Sequence, residues 1–224
     1  MDTRYTVHQL RTTSNDFVNY CYVIEDSFTQ TALIIDPSWE LDKVVDLLEY
    51  RGLRLTAIAL THAHSDHVNL VEPLAELYHP TVYMSHIEID FFGYSCENLH
   101  PVNDLDEIMF GDAKLLCMWT PGHSPGGMCY KFSGHLFTGD TLFSEGCGMC
   151  NLRGGSPEQM FDSIQRIDRD VPPETRIYPG HSYGIEPGKT LEEIKRYNIY
   201  FGLKREEFIE FRMKKTQTNL LKFV

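Results

Sequence analysis

The stretch His62-Ala63-His64-Ser65-Asp66-His67 puts three imidazoles and a carboxylate within six residues, just after the apolar run Ala57-Ile58-Ala59-Leu60. Neutral imidazole and carboxylate are the ligand types of zinc and related divalent ions. A strand that ends in such a run aims several ligands at one point. Three further segments repeat the plan of a strand running into a ligand. Residues 115–119 lead into Thr120-Pro121-Gly122-His123, residues 135–138 into Gly139-Asp140-Thr141, and residues 175–178 into Pro179-Gly180-His181. Each of these ligands follows a glycine, where a turn brings the backbone close without a Cβ clash. One strand-terminal histidine is ordinarily a turn residue with local hydrogen bonds; four such points together are hard to explain that way.

Working outward, residues 19–25 and 32–35 read as strands, the second stopped by Asp36-Pro37. Residues 40–50 carry helical spacing (Leu41, Val44, Val45, Leu48), with Gly52 just beyond the end. Residues 57–60 predict a short buried strand, 68–78 a helix and 81–84 a strand, while 86–104 follow no single period. Residues 108–110, 115–119, 128–132 and 135–138 read as successive strands. Residues 157–167 read as a helix with Pro157 in its first turn, and 175–178 as a last strand. Residues 191–211 are helical, broken near Gly202. Strand-rich halves with interspersed helices fit two sheets between helical layers.

A chain of 224 residues suffices for one substantial core and is short for two full domains. No apolar run of about 18 residues predicts a membrane span. Met1-Asp2-Thr3-Arg4-Tyr5 lacks the charged-then-apolar plan of a secretion signal, so a cytoplasmic protein is expected. The six scattered cysteines point to reduced thiols, and Cys147-Gly-Met-Cys150 is the one close pair, too little alone for a zinc knuckle. The formal net charge of −12 disfavours nucleic acid as a partner. That charge is uneven: the first 188 residues carry −16 and the remainder +4. The positive tail reads as a solvated helical face or as a module that meets an acidic partner.

Together, Thr61-His62-Ala63-His64-Ser65-Asp66-His67, Pro121-Gly122-His123-Ser124-Pro125-Gly126, Thr138-Gly139-Asp140-Thr141-Leu142-Phe143 and Pro179-Gly180-His181 resemble the metallo-β-lactamase superfamily in its glyoxalase II-like branch. The resemblance spans about residues 17–183. It implies a four-layer αββα sandwich, an α/β (α+β) fold, with two divalent metal ions at one edge. Zinc is the metal of that branch, and His/Asp sites also accept iron or manganese. By this likeness His62, His64 and His123 hold the first ion, Asp66, His67 and His181 the second, and Asp140 bridges them. The expected organisation is a single domain over residues 1–224. It comprises a core over 1–188 and a C-terminal helical segment over 189–224 that covers the site.

Such a pair of ions makes a shared hydroxide nucleophilic at neutral pH and polarises a carbonyl. A thiolate leaves without a strong general acid, so a thioester is the natural substrate, with Asp66 orienting the hydroxide. Ser65 and Ser124 are expected in turn hydrogen bonds. Asp36 is open between a supporting role and an ordinary turn. The branch has Gly-Cys-Gly followed by Lys or Arg where this chain has Met149, a departure that weakens a glutathione substrate and that Arg153 can offset. Tyr183 matches a family tyrosine that contacts the thiol-bearing arm. The Cys147-Gly-Met-Cys150-Asn-Leu-Arg153 loop and short tail look most like the zinc-dependent hydrolases of bacterial trans-acyltransferase polyketide clusters. That likeness implies hydrolysis of acyl thioesters on the phosphopantetheine arm of an acyl carrier protein, docked near Lys195, Arg196, Lys204 and Arg205. Competing readings are hydroxyacylglutathione hydrolase activity, an iron-dependent persulfide dioxygenase using His62, His123 and Asp140, and a non-catalytic metal-binding protein.

Overall fold

A computed structural model of the chain describes residues 4–15 and 17–214. The elements in chain order begin with β1 (Tyr5–Ser14), β2 (Phe17–Asp26), β3 (Thr31–Ile35), α1 (Leu41–Arg51), β4 (Arg54–Ala59), α2 (Ser65–Val68), α3 (Val71–Tyr78), β5 (Thr81–Ser85), α4 (His86–Phe92) and β6 (Leu99–Val102). They continue with β7 (Glu107–Phe110), β8 (Ala113–Trp119), β9 (Met128–Phe132), β10 (His135–Gly139), α5 (Pro157–Asp170), β11 (Arg176–Pro179), α6 (Leu191–Lys195), a 3-10 turn (Ile199–Phe201) and α7 (Arg205–Arg212).

Two sheets result, ordered β1-β2-β3-β4-β5-β6 and β11-β10-β9-β8-β7. The first is antiparallel through β3 and parallel from β3 to β6. The second is antiparallel except where β10 meets β11. Alternation of side chains along each strand sorts the apolar residues into layers. Tyr22, Ile24, Leu33 and Ile35 pack between the sheets against Leu115, Tyr130 and Phe137. Their neighbours Cys21, Val23, Ala32 and Ile34 face outward onto Val44, Leu48, Val71 and Leu74 of the helices. On the far side Met118, Cys129 and Leu136 meet Ile167, Leu191 and Ile194. The expected αββα order is therefore present.

Three local differences have physical causes. Residues 68–78 do not form one helix. Leu70 N–H donates to the Pro37 carbonyl at 3.3 Å, and the Asn69 side chain accepts from Trp39 N–H at 2.7 Å, so tertiary bonds interrupt the helical ladder between α2 and α3. β1 lies outside the strands expected from the sequence because its polar residues pair as an edge strand, in register with β2 from Tyr5 opposite Asp26 to Ser14 opposite Phe17. Residues 86–104 resolve into α4 and β6, the helix ending at Gly93 in the left-handed region (φ 68°).

The C-terminal helices pack on α5 and on the loop after β10. Tyr200 and Phe208 join Cys147, Cys150, Met160 and Ile164 in one apolar cluster. Asn198 Nδ2 donates to the carbonyls of Phe143 and Gly146, both at 3.1 Å. Lys215 and Lys222 of the basic tail lie outside the described residues. All six cysteines are free. Among the described residues no helix is long and apolar enough to cross a membrane.

Candidate metal centre

The four ligand-bearing segments leave β4, β8, β10 and β11 at the same edge of the sandwich, as the sequence spacing predicts. They form two adjoining groups whose ligand atoms lie within 4.8 Å of one another: His62, His64 and His123, and Asp66, His67 and His181. Asp140 stands between them. Its Oδ1 is 3.4 Å from His67 Nε2 and 3.6 Å from His181 Nε2, and its Oδ2 is 3.4 Å from His123 Nε2.

The surrounding hydrogen bonds decide which ring nitrogen each histidine offers. His123 Nδ1–H donates to the Met149 carbonyl at 2.7 Å, and His181 Nδ1–H donates to the Val18 carbonyl at 2.7 Å. A carbonyl only accepts, so in both rings the proton sits on Nδ1 and the Nε2 lone pair faces the centre. His67 Nδ1 lies 3.0 Å from Asp36 Oδ2 and donates to it in the same way. The Thr61 hydroxyl spends its proton on Asp36 Oδ2 at 2.6 Å, so it accepts from His62 Nδ1 at 3.0 Å. His62 Nε2, His67 Nε2 and Asp140 Oδ1 are buried without a hydrogen-bond partner. Buried polar atoms are nearly always satisfied. Three converging lone-pair atoms left over are what a cation would satisfy, so the residues fit a pair of divalent ions. The donor set is imidazole and carboxylate only, which suits zinc and leaves iron or manganese open.

Electrostatics agree. Burial pushes the His62 imidazole well below its ordinary value and His64 down to about 4, assisted by neighbouring rings, so both stay neutral and ready to ligate. Burial also opposes charge on His67, but Asp66, Asp140 and Asp36 outweigh it and raise His67 to about 10, so these carboxylates draw positive charge to Nε2, either a second proton or a cation that takes its place. For Asp66 and Asp140 burial is likewise outweighed, by the histidines, and both carboxyls sit below their usual range.

Several supporting residues were not legible in the sequence. Asn19, buried on β2, donates through Nδ2 to Asp66 Oδ2 at 3.1 Å and is held by Trp39 Nε1–H at 2.7 Å. Asp36 turns out to support the centre: it accepts from Thr61 N–H at 2.7 Å as well as from Thr61 Oγ1 and His67. Met149 contributes its backbone carbonyl to His123. Gly148 is required beside it, because a Cβ there would stand 2.1 Å from the Asp140 carbonyl oxygen and 2.8 Å from His123 Nδ1.

Around the mouth, the Phe92 ring lies 5.8 Å from the His64 ring, and the exposed Arg153 guanidinium stacks over Phe91 at 5.1 Å and Phe92 at 5.5 Å. Tyr183 packs 5.5 Å from Phe143, whose ring is 6.0 Å from His181. Three of the four tail cations expected to receive an acidic partner are engaged in surface ion pairs. Lys195 pairs with Asp168, Arg205 with Asp162, and Arg196 with Glu192 at 2.9 Å. The other histidines stand apart from the centre; His8, for example, pairs with Glu25 at 2.6 Å.

Residues 14–181 match the Metallo-beta-lactamase superfamily. The chain is 50% identical to the "Probable polyketide biosynthesis zinc-dependent hydrolase BaeB" of Bacillus velezensis, over 100% of both chains. It is 47% identical to the corresponding PksB of Bacillus subtilis, again over 100% of both. A hydroxyacylglutathione hydrolase of Gloeobacter violaceus is 38% identical over 80% of this chain and 68% of its own length. Among solved structures, ETHE1 from Myxococcus xanthus superposes with a TM-score of 0.85 at 32% identity, covering 96% of this chain and 94% of that one. Fold, ligand geometry and these likenesses agree: the chain belongs to the metallo-beta-lactamase superfamily.

Proposed function

We propose that this chain is a zinc-dependent hydrolase of polyketide biosynthesis that cleaves acyl thioesters borne on the phosphopantetheine arm of an acyl carrier protein in the cytoplasm. The observation that carries the hydrolase reading is Asp140, whose two oxygens face the two histidine groups separately. The biosynthetic setting is supported by full-length similarity to BaeB and PksB, whereas the hydroxyacylglutathione hydrolase relative extends well beyond the region it shares with this chain.

In this reading His62, His64 and His123 would hold one ion, Asp66, His67 and His181 the other, and Asp140 both. When bound, a metal pair supplies Lewis acidity toward a carbonyl and makes water nucleophilic at neutral pH. The protein's own groups do the rest. Asp66 Oδ2, fixed by Asn19, is placed to accept a hydrogen bond from the attacking water and set its direction. Asp36 holds the proton of His67 on Nδ1 and keeps Nε2 inward. Phe92 packs edge-to-face beside the His64 ring at 5.8 Å and lends that side an apolar wall. The departing thiol has an ordinary pKa near 8.5 and needs no acid of its own.

Tyr183, Met149 and Arg153 are the candidate substrate contacts. Among the described residues Arg153 and Lys204 have no ion pair with a carboxylate, unlike Lys195, Arg196 and Arg205. Arg153, whose guanidinium lies over the Phe92 ring beside His64, is therefore the preferred contact for an acidic carrier. The complete second ligand group disfavours a single-iron dioxygenase. The deciding experiment compares hydrolysis of acyl-carrier-protein, acyl-pantetheine and lactoylglutathione thioesters. Highest kcat/KM on the carrier protein is expected; preference for lactoylglutathione would overturn the substrate assignment.

A further inference from the structure

Glu88, on α4, belongs to neither ligand group, yet it is fully buried (0% exposed) beside them. Its two carboxylate oxygens serve two different segments. Oε1 accepts from the backbone N–H of Ala63 at 3.0 Å, and Oε2 accepts from the backbone N–H of Gly126 at 2.8 Å. Ala63 lies between His62 and His64, and Gly126 lies three residues beyond His123. One side chain thus ties the loop bearing two ligands to the loop bearing the third. The contact is tight: a Cβ at Gly126 would come 2.3 Å from the Glu88 backbone nitrogen, so that loop lies directly on the helix. Across this tie His64 Nδ1 and His123 Nε2 approach to 2.9 Å.

We propose that Glu88 is a positioning residue that sets the separation of the His62/His64 and His123 arms, and so the affinity for the first ion. The proposal rests on the reading of those three histidines as ligands. A carboxylate is needed because two buried N–H donors, on segments far apart in sequence, both require an acceptor. Glutamine keeps one acceptor and turns an amide NH2 toward the other donor. Glu88 touches no reacting atom; it acts through the loops it joins.

The test titrates zinc into metal-free wild type, Glu88→Gln, Glu88→Asp and a control, Asp26→Asn, against a chromophoric chelator. The visible spectrum of each cobalt(II)-loaded protein and its thermal midpoint are recorded alongside. Asp26 is a buried carboxylate that also ties backbone to side chains, but at the β2–β3 turn, away from the centre. The expected result is two ions in wild type and in Asp26→Asn with equal affinities. In both Glu88 variants one affinity should fall by about 10–100-fold, the size usual for lost support of a metal ligand, with an altered cobalt spectrum. Glu88 variants that bind both ions like wild type, or an Asp26→Asn control that loses affinity as they do for a like fall in thermal midpoint, would overturn the proposal. Wild type that takes up fewer than two ions would instead overturn the metal reading, and this proposal with it.

Discussion

The Nδ1 of His123 lies 2.7 Å from the carbonyl oxygen of Met149. This one bond couples the centre to the loop that carries Cys147 and Cys150, and through Tyr200 and Phe208 to the C-terminal helices. Gly148 is where the coupling is tightest. Gly148→Ala should lose both activity and metal uptake, because the new Cβ would drive the backbone off Asp140 and His123. Zinc stoichiometry by elemental analysis checks this; full uptake by the variant would show that the loop has slack the geometry denies it.

Asp36 is buried and serves Thr61 twice and His67 once. Asp36→Asn should weaken metal binding by about 10–100-fold, since the amide cannot hold both the Thr61 hydroxyl and the His67 ring in their present tautomeric order. It should also cost roughly 1–3 kcal/mol of stability through groups left unsatisfied. Chelator competition and urea unfolding measure the two effects separately. Unchanged affinity would return Asp36 to the status of an ordinary turn residue.

Metal removal should lower thermal stability in a concentration-dependent way. An ion bound only by the folded chain stabilises it by about 2.7 kcal/mol when present at one hundred times its dissociation constant. His62 Nε2, His67 Nε2 and Asp140 Oδ1 are the atoms that would lose a partner. Differential scanning fluorimetry across a zinc titration should show the midpoint rising with zinc. A midpoint indifferent to zinc and to chelator would contradict the reading of these atoms.

A separate pH effect belongs to the β2–β3 turn. The Arg4 guanidinium, 2.7–2.8 Å away, offsets the burial of Asp26 and holds its carboxyl below the usual range. A lowered folded pKa means the bond contributes stability in full above the unfolded value, about 3.9. That contribution is lost as pH falls through the lower folded value. Asp26→Asn should therefore be less stable than wild type at pH 7, by roughly 1.5–3 kcal/mol, the size of hydrogen bonds to a charged group, since the part-exposed Arg4 keeps Asp112 as a partner. The difference should shrink only below about pH 4. Urea midpoints across pH 2–7 decide it.

What the sequence made legible follows from how far each interaction reaches along the chain. Continuous apolar runs such as those of β2 and β3 announce themselves because both faces meet an apolar layer. The candidate ligands do so because each group follows the end of a strand. Asn19 and Glu88 left no local mark, since their partners Asp66, Ala63 and Gly126 lie 25–47 residues away and only folding joins them. The break at Asn69 and Leu70 was hidden for the same reason, being imposed by Pro37 and Trp39. Composition leaves the role of the basic tail open because it counts charges without their partners: Asp162 and Asp168 of α5 pair with Arg205 and Lys195 from outside the tail.

On the proposed reading, Arg153 is the candidate carrier contact. Its guanidinium lies over the Phe91 and Phe92 rings, contacts worth about 0.5–1 kcal/mol at an exposed site, and one NH2 donates to the Phe91 carbonyl at 3.3 Å, leaving the other N–H groups to a partner. Phe92 in turn reaches the His64 ring, so an anion received by Arg153 stands next to the mouth. Because Arg153 touches none of the ligand residues, Arg153→Ala should raise KM for a carrier-protein thioester several-fold with kcat nearly unchanged, the pattern of lost uniform binding. The same substitution should leave acyl-pantetheine hydrolysis untouched, since that substrate lacks the acidic protein. Steady-state kinetics on both substrates separates the possibilities. An equal rise in KM for both would place Arg153 against the acyl-pantetheine arm instead, and a fall in kcat alone would mean that the Phe91–Phe92 shelf shapes the ligand His64 through the stacked rings.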